Sequence, residues 1–175
     1  MSNYQPSLEL LAKARSDVDM EPHLLHLRHL ASHVNSILEF GVRGGVSTWA
    51  LLDGLPADGT YLGIDIDDRI FRWIPQQVQQ DPRFHVVIAD DREVAFPLLH
   101  YDLVMIDSSH EYEHTKQELN IAARLTPDLI VMHDYLYAEP SCKVKQAVDE
   151  WVQNGSYRMD HIYFSKWGLL VLVPK

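Results

Sequence analysis

Five carboxylates in this chain share one chemical setting. Glu39 lies in SILEF (36–40), Asp65 follows TYLGI (60–64), Asp90 follows FHVVIA (84–89), Asp107 follows YDLVMI (101–106), and Asp134 follows DLIVM (128–132) by one histidine, so each sits at or just past the end of a short apolar run. Carboxylates converging on one rim repel one another unless a cation or a set of hydrogen-bond donors lies among them. Two histidines accompany them, His110 three residues after Asp107 and His133 directly before Asp134. An imidazole, with its ordinary pKa near 6.5, suits removal of a proton from a hydroxyl, so His110, Asp107 and Asp134 are the candidate catalytic group. Carboxylate and imidazole ligands also hold Mg²⁺ or a softer divalent cation, which makes Asp107, His133 and Asp134 a candidate metal set able to acidify a bound hydroxyl.

A parallel sheet is the element that gathers such distant residues. The five runs are continuous in Val, Ile and Leu and alternate with helix-length amphipathic stretches, as strands covered on both faces require. The expected class is α/β: a Rossmann-like, doubly wound, mostly parallel sheet in three layers, α/β/α, with ligands at the carboxyl ends of the strands. YRMDHIYF (157–164) and LLVLV (169–173) are joined by only four residues, too few for a crossover, so they should form an antiparallel hairpin at the edge or end of the sheet. Residues 1–34 read as two helices, the second carrying Leu24, Leu27, Leu30, Ala31 and Val34 on one side, and residues 35–175 as the core of a single domain. His23, His26, His29 and His33 flank that apolar side without an Asp, Glu or Cys in register, which favours a polar rim or subunit contact over a metal stripe.

Composition narrows the partners. With 15 Lys+Arg against 25 Asp+Glu the formal charge is −10, and no basic run offsets it, so neither a nucleic acid nor an anionic membrane is an expected partner. A single cysteine, Cys142, excludes an intrachain disulfide and fits a reducing compartment. The N-terminal segment lacks the apolar core of a secretory signal and the longest apolar stretch is too short for a bilayer, so the expected location is cytoplasmic. A homo-oligomer stays open.

The turn after the first strand, Gly41-Val42-Arg43-Gly44-Gly45, leads into Ser47-Thr48 and the next helix. Arg43 and Val46 break the G-x-G-x-x-G dinucleotide fingerprint, and no Gly-Lys-Ser/Thr follows to make a P-loop. Asp65 comes 24 residues after Gly41, where an acid accepts ribose hydroxyls, and Asp90 or Asp91 can reach an adenine amino group, with a helix cap the alternative role for one of the two.

Taken in order, LEFGVRGGVST, YLGIDID, YDLVMIDSSHEYEHTKQEL and LIVMHDY resemble the class I S-adenosylmethionine-dependent methyltransferases, most nearly the methyltransferase-24 and cephalosporin-hydroxylase-like branch. The resemblance spans about Met20 to Val173. It implies that Glu39 and the turn Gly41, Arg43, Gly44, Gly45 hold the methionine part of S-adenosyl-L-methionine, with Ser47 and Asp107 in the same cofactor set. Asp65 then holds the ribose and Asp90 the adenine. Related catechol-type enzymes carry a basic residue at the position of His110. Metal-dependent relatives carry Asp or Asn where this chain has Tyr135. A sulfonium cation with an ammonium group suits an acidic rim better than a pyrophosphate does.

Ser108-x-x-Glu111 has a capping-box pattern, which places His110 in the first turn of a helix running through Leu125. Tyr135, Tyr137 and Pro140 offer a wall for a small organic acceptor. The expected activity is O-methylation of a small hydroxylated acceptor. A nicotinamide-dependent oxidoreductase and a non-catalytic S-adenosylmethionine-binding protein are the alternatives.

Overall fold

The computed structural model describes residues 18–96 and 100–175. Among these, seven strands form one sheet: β1 (Ser36–Phe40), β2 (Thr60–Asp65), β3 (Phe84–Ile88), β4 (Leu103–Ile106), β5 (Leu129–Met132), β6 (Tyr157–Tyr163) and β7 (Leu169–Pro174), in the order β3-β2-β1-β4-β5-β7-β6. Pairing is parallel from β3 through β5. The helices are α1 (Leu24–Ala31), α2 (Val46–Gly54), a single turn α3 (Gln76–Gln79), α4 (Tyr112–Arg124) and α5 (Val144–Asn154). This is the expected Rossmann-like arrangement.

Alternation along the strands assigns the two faces. Ile37, Leu103, Met105 and Val131 pack toward α1 and α2, while Leu38, Phe40, Val104, Ile106 and Met132 pack toward α4 and α5. All four residues of β4 are buried because both faces of a central parallel strand are covered. β3 reads the same way in sequence, yet it is the sheet's edge, and Val87 and Ile88 are exposed. Strand order reverses between β1 and β4, and register places Phe40 beside Ile106, so the carboxyl ends of these two strands flank the crevice where open α/β sheets take ligands.

The C-terminal hairpin is antiparallel, as expected. The later strand, β7, is the inner one, paired with β5 on one side and β6 on the other, which leaves β6 at the edge. Leu24, Leu27, Ala31 and Val34 are buried as the apolar spacing demands, and α1 docks on α2. The first of the two expected N-terminal helices lies outside the described residues.

Candidate active site

The site begins with a steric requirement. Gly41 has φ +85°, and a Cβ added there would sit 2.2 Å from the Asp107 carbonyl oxygen, so the β1–α2 turn and the end of β4 can pack this closely only through glycine. Gly45, φ +74°, caps α2. Arg43 takes a left-handed φ of +44° without being glycine, a conformation that surrounding contacts must hold. The amides of Val42 and Arg43 donate to Asp65 Oδ2 at 3.0 and 2.8 Å, and the Arg43 guanidinium grips both oxygens of Asp19. Asp67 N also donates to Asp65 Oδ1. Asp65 therefore organises the turn, and a carboxylate with about four acceptor positions retains one for a ligand.

A cavity of about 440 Å³ opens beside this turn. Its acidic wall is Asp65, Asp67, Asp90, Asp91 and Asp107, and its apolar wall is Ile64, Ile66, Ile70 and Trp73. A small recess on the other side of Asp107 is lined by Met20, Val42, Arg43, Gly44, Val46 and Ser47. Asp107, Gly41, Arg43, Asp65 and Asp90 thus come together around one space, with Gly44 and Ser47 around the recess that adjoins it. Glu39 lines neither. It lies wholly buried, accepting from Thr48 Oγ1 at 2.6 Å and from the Tyr61 hydroxyl, and its Oε1 has no partner. Burial pushes its carboxyl up to about 7, against the hydrogen bonds from Thr48 and Tyr61.

Of the Asp90-Asp91 pair, Asp90 is the cap. It accepts from Arg92 N at 3.0 Å, and hydrogen bonds from the Arg92 side chain and backbone hold its carboxyl below the ordinary range. Asp91 is buried against His114.

At the far side of Asp107 the end of β5 supplies a chain of charges. His110 Nε2 meets Asp134 Oδ2 at 2.9 Å, and His133 Nδ1 lies 3.1 Å from both Asp107 Oδ1 and Asp134 Oδ2. His133 Nε2 faces the Asp19 carbonyl oxygen at 3.3 Å. Both nitrogens of this buried ring point at acceptors, so both carry protons. Burial alone would push His133 down, but Asp107 and Asp134 reverse that and raise it to about 11. Burial likewise pushes Asp134 up, and His110 and His133 overcome it and hold the carboxyl well below the usual range. The hydrogen bond to Asp134 raises His110, against its partial burial. Asp134 itself takes φ +57°, and its Oδ1 is buried without a partner.

Several expectations change. The ring nitrogens of His133 are engaged by Asp107, Asp134 and the Asp19 carbonyl, and the ligand atoms that converge are those of Asp107, His110 and Asp134, all within 4.8 Å of one another. The capping box is absent: the N-cap of α4 is Glu111, without a side-chain cap bond, Ser108 Oγ donates to Glu118 Oε1 at 2.5 Å, and His110 lies in the loop before the helix. Tyr135 is no acceptor wall. It is buried, and its hydroxyl donates to Asp149 Oδ1 at 2.7 Å. The four N-terminal histidines disperse, His23 onto Ser165, His26 onto the Tyr163 ring, and His29 against His33. Asp19, Thr48, Tyr61 and Trp73 were not legible as site residues. Trp73 alone left a trace, an aromatic shortly after IDIDD.

A family model described as a methyltransferase domain, Methyltransf_24, matches residues 38–135, more than half of the chain. The chain belongs to this methyltransferase family. A search against curated proteins returned no match. Among solved structures, the O-methyltransferase TomG from Streptomyces achromogenes, in complex with S-adenosylmethionine, is 14% identical with a TM-score of 0.74, covering 98% of this chain and 92% of that one. An O-methyltransferase from Bacillus cereus, in complex with S-adenosylhomocysteine, is 13% identical with a TM-score of 0.76, covering 99% and 93%. Aeropyrum pernix fibrillarin, with natively bound S-adenosyl-L-methionine, is 15% identical with a TM-score of 0.63, covering 86% and 72%. At such identities the likeness is one of fold. The methyltransferase-domain match includes the Gly41 turn, Asp65, Asp107, His110 and Asp134.

Proposed function

We propose that this methyltransferase uses S-adenosyl-L-methionine to methylate an oxygen of a small hydroxylated acceptor. The observation that carries the reading is the position of Asp107, which lines both the main cavity and the recess and connects through His133 and Asp134 to His110. The main cavity suits a nucleoside: carboxylates for hydroxyl and amino donors, and Ile64, Ile66, Ile70 and Trp73 for a flat base. The Gly41 turn and Ser47 border the recess side, where the cofactor's amino-acid part belongs. When bound, the cofactor supplies a methyl group activated by its positive sulfur. The protein does the rest.

His110 accepts the proton of the acceptor hydroxyl through its second ring nitrogen, because Nε2 is engaged with Asp134. Asp134 orients the ring and stabilises the imidazolium as it forms. His133, fixed between Asp107 and Asp134, keeps the two carboxylates from repelling one another. Tyr137, in the loop after β5, lies under the Lys166 ammonium and lines a second pocket with Cys142 and Lys143, whereas Tyr135 is committed to the interior. An acidic chain without a helix, among the described residues, long and apolar enough to cross a membrane favours a small diffusible acceptor over a nucleic acid or a lipid.

A second reading adds a divalent cation held by Asp107, His110 and Asp134. The orphaned, buried Asp134 Oδ1 favours it. The cation would acidify the acceptor hydroxyl, with His110 then a ligand rather than the base.

Calorimetric titration with S-adenosylmethionine and S-adenosylhomocysteine, followed by turnover assays on a panel of small hydroxylated acceptors with Mg²⁺ and with chelator, tests both. Asp134→Asn should lower kcat by about a hundredfold or more if His110 depends on it. Absence of cofactor binding, or unchanged turnover in Asp134→Asn, overturns the assignment. Loss of turnover on chelation, restored by metal, selects the second reading.

A further inference from the structure

Part of the wall that the proposed function gives to the nucleoside belongs to a polar cluster with no role in the transfer of the methyl group itself. His114 and Glu118 stand four residues apart on α4, which puts both side chains on one face of the helix. Asp91 reaches the same point from the loop after β3, its Oδ1 3.0 Å from His114 Nε2. Glu118 Oε1 lies 4.0 Å from that nitrogen. Asp91 and His114 form part of the cavity wall, and Glu118 sits behind them, fully excluded from solvent.

Two carboxylates are buried here around one imidazole. Glu118 accepts from Ser108 Oγ on Oε1, while its Oε2 is buried with no partner. Burial and the adjoining Asp91 carboxyl, within hydrogen-bond reach, push Glu118 far above the usual carboxylate range, and the Ser108 hydroxyl offsets this only in part. Asp90, next in sequence, does not relieve this, because Arg92 already neutralises it. A buried acid whose Oε1, held by Ser108, faces the imidazole and whose Oε2 has no donor, beside a second acid, is by its chemistry a donor set for a cation.

The spacing agrees. Ligand atoms about 2.0–2.2 Å from a tetrahedral ion lie about 3.4 Å from one another. The separations of 3.0 and 4.0 Å bracket that value. We propose that Asp91, His114 and Glu118 form a binding site for a divalent transition cation of the Zn²⁺ or Mn²⁺ class, with its remaining coordination position open to the main cavity. One imidazole with two carboxylates is a borderline donor set, harder than the thiolate sites of structural zinc and softer than an all-oxygen magnesium site. The site is separate from the Asp107–His110–Asp134 group and does not rest on the methyltransferase reading.

The test is direct metal binding by purified, chelator-stripped protein. Loss of the free Mn²⁺ paramagnetic resonance signal gives stoichiometry, competition by Zn²⁺ gives relative affinity, and the thermal midpoint with and without Zn²⁺ gives the coupling to folding. Glu118→Gln keeps the shape and supplies an amide donor to Asp91, so it should fold, melt in chelator at or above the wild-type temperature, and lose at least tenfold in metal affinity. His114→Asn should lose the same site, which guards against a folding defect in either variant. Asp134→Asn should retain it. No uptake of Mn²⁺ or Zn²⁺ at millimolar concentration overturns the proposal and leaves a proton shared between Glu118 and Asp91. So does uptake by the Asp134→Asn protein that survives the further change Glu118→Gln or His114→Asn.

Discussion

Replacing Glu39 by glutamine isolates a single buried acid whose cost can be worked out. Its carboxyl is raised from 4.5 to about 7 by complete burial. A group whose folded pKa lies above its unfolded one stabilises the fold fully below the unfolded value and loses that contribution as pH rises through the folded value. For Glu39 the window therefore runs from pH 4.5 to about 7, and wild-type stability should fall across it. At about 1.36 kcal/mol per pKa unit, the loss between pH 5 and pH 8.5 is about 2 to 3 kcal/mol. The carboxamide of the Glu39→Gln variant still accepts from Thr48 and Tyr61, while its nitrogen sits where Oε1 has no partner, a fixed cost of about 1 to 3 kcal/mol that does not depend on pH. The informative quantity is thus the difference between wild type and Glu39→Gln as a function of pH. In urea titrations of cofactor-free protein, that difference should shift in the variant's favour by about 2 to 3 kcal/mol from pH 5 to 8.5. Parallel profiles would refute the placement of Glu39 as a buried acid that must ionise in the fold.

Other outcomes follow from the same geometry. Gly41→Ala meets the Asp107 carbonyl at 2.2 Å from a positive φ, so it should destabilise by about 3 kcal/mol or more, read from denaturant midpoints, and a near-neutral result would mean that the turn and β4 do not touch. Asp65→Ala strips the Val42 and Arg43 amides of their acceptor and should weaken S-adenosylhomocysteine binding by at least tenfold in calorimetry. Arg43→Ala removes a half-exposed pair with Asp19 and should change stability by less than about 1 kcal/mol, again from denaturant midpoints. His133→Leu leaves Asp107 and Asp134 facing each other without their shared cation and should cost about 3 to 5 kcal/mol, while a stable variant would show that those acids are not both charged.

The sheet was legible because continuous apolar runs have no other economical arrangement, and the strand-end position of Asp65, Asp90, Asp107 and Asp134 follows from it. The edge status of β3 was not, since FHVVI has the same composition as a central strand and only the strand order decides its exposure. His133 shows the main limit for the site. Sequence placed it beside Asp134, but its protonation depends on Asp107 and on the Asp19 carbonyl, neither of which is near it in the chain. Ser108-x-x-Glu111 misled for a related reason, because Glu111 is itself the N-cap of α4, and Ser108, three residues earlier, donates its hydroxyl to the distant, buried Glu118. The pairing of His114 with Asp91 had no local signal beyond the i, i+4 spacing of His114 and Glu118 on α4.

The contact between Gly41 and the Asp107 carbonyl has a consequence for how this enzyme can diversify. It joins the glycine turn after β1 and the end of β4, where Asp107 lies, into one inflexible frame, so neither can be retuned alone. On the proposed function, variation in acceptor preference enters outside that frame, through the segment around Asp19 and Met20 and the loop from Tyr137 to Cys142. Exchange of those two segments between relatives is then the route by which the proposed chemistry would try new acceptors without being rebuilt.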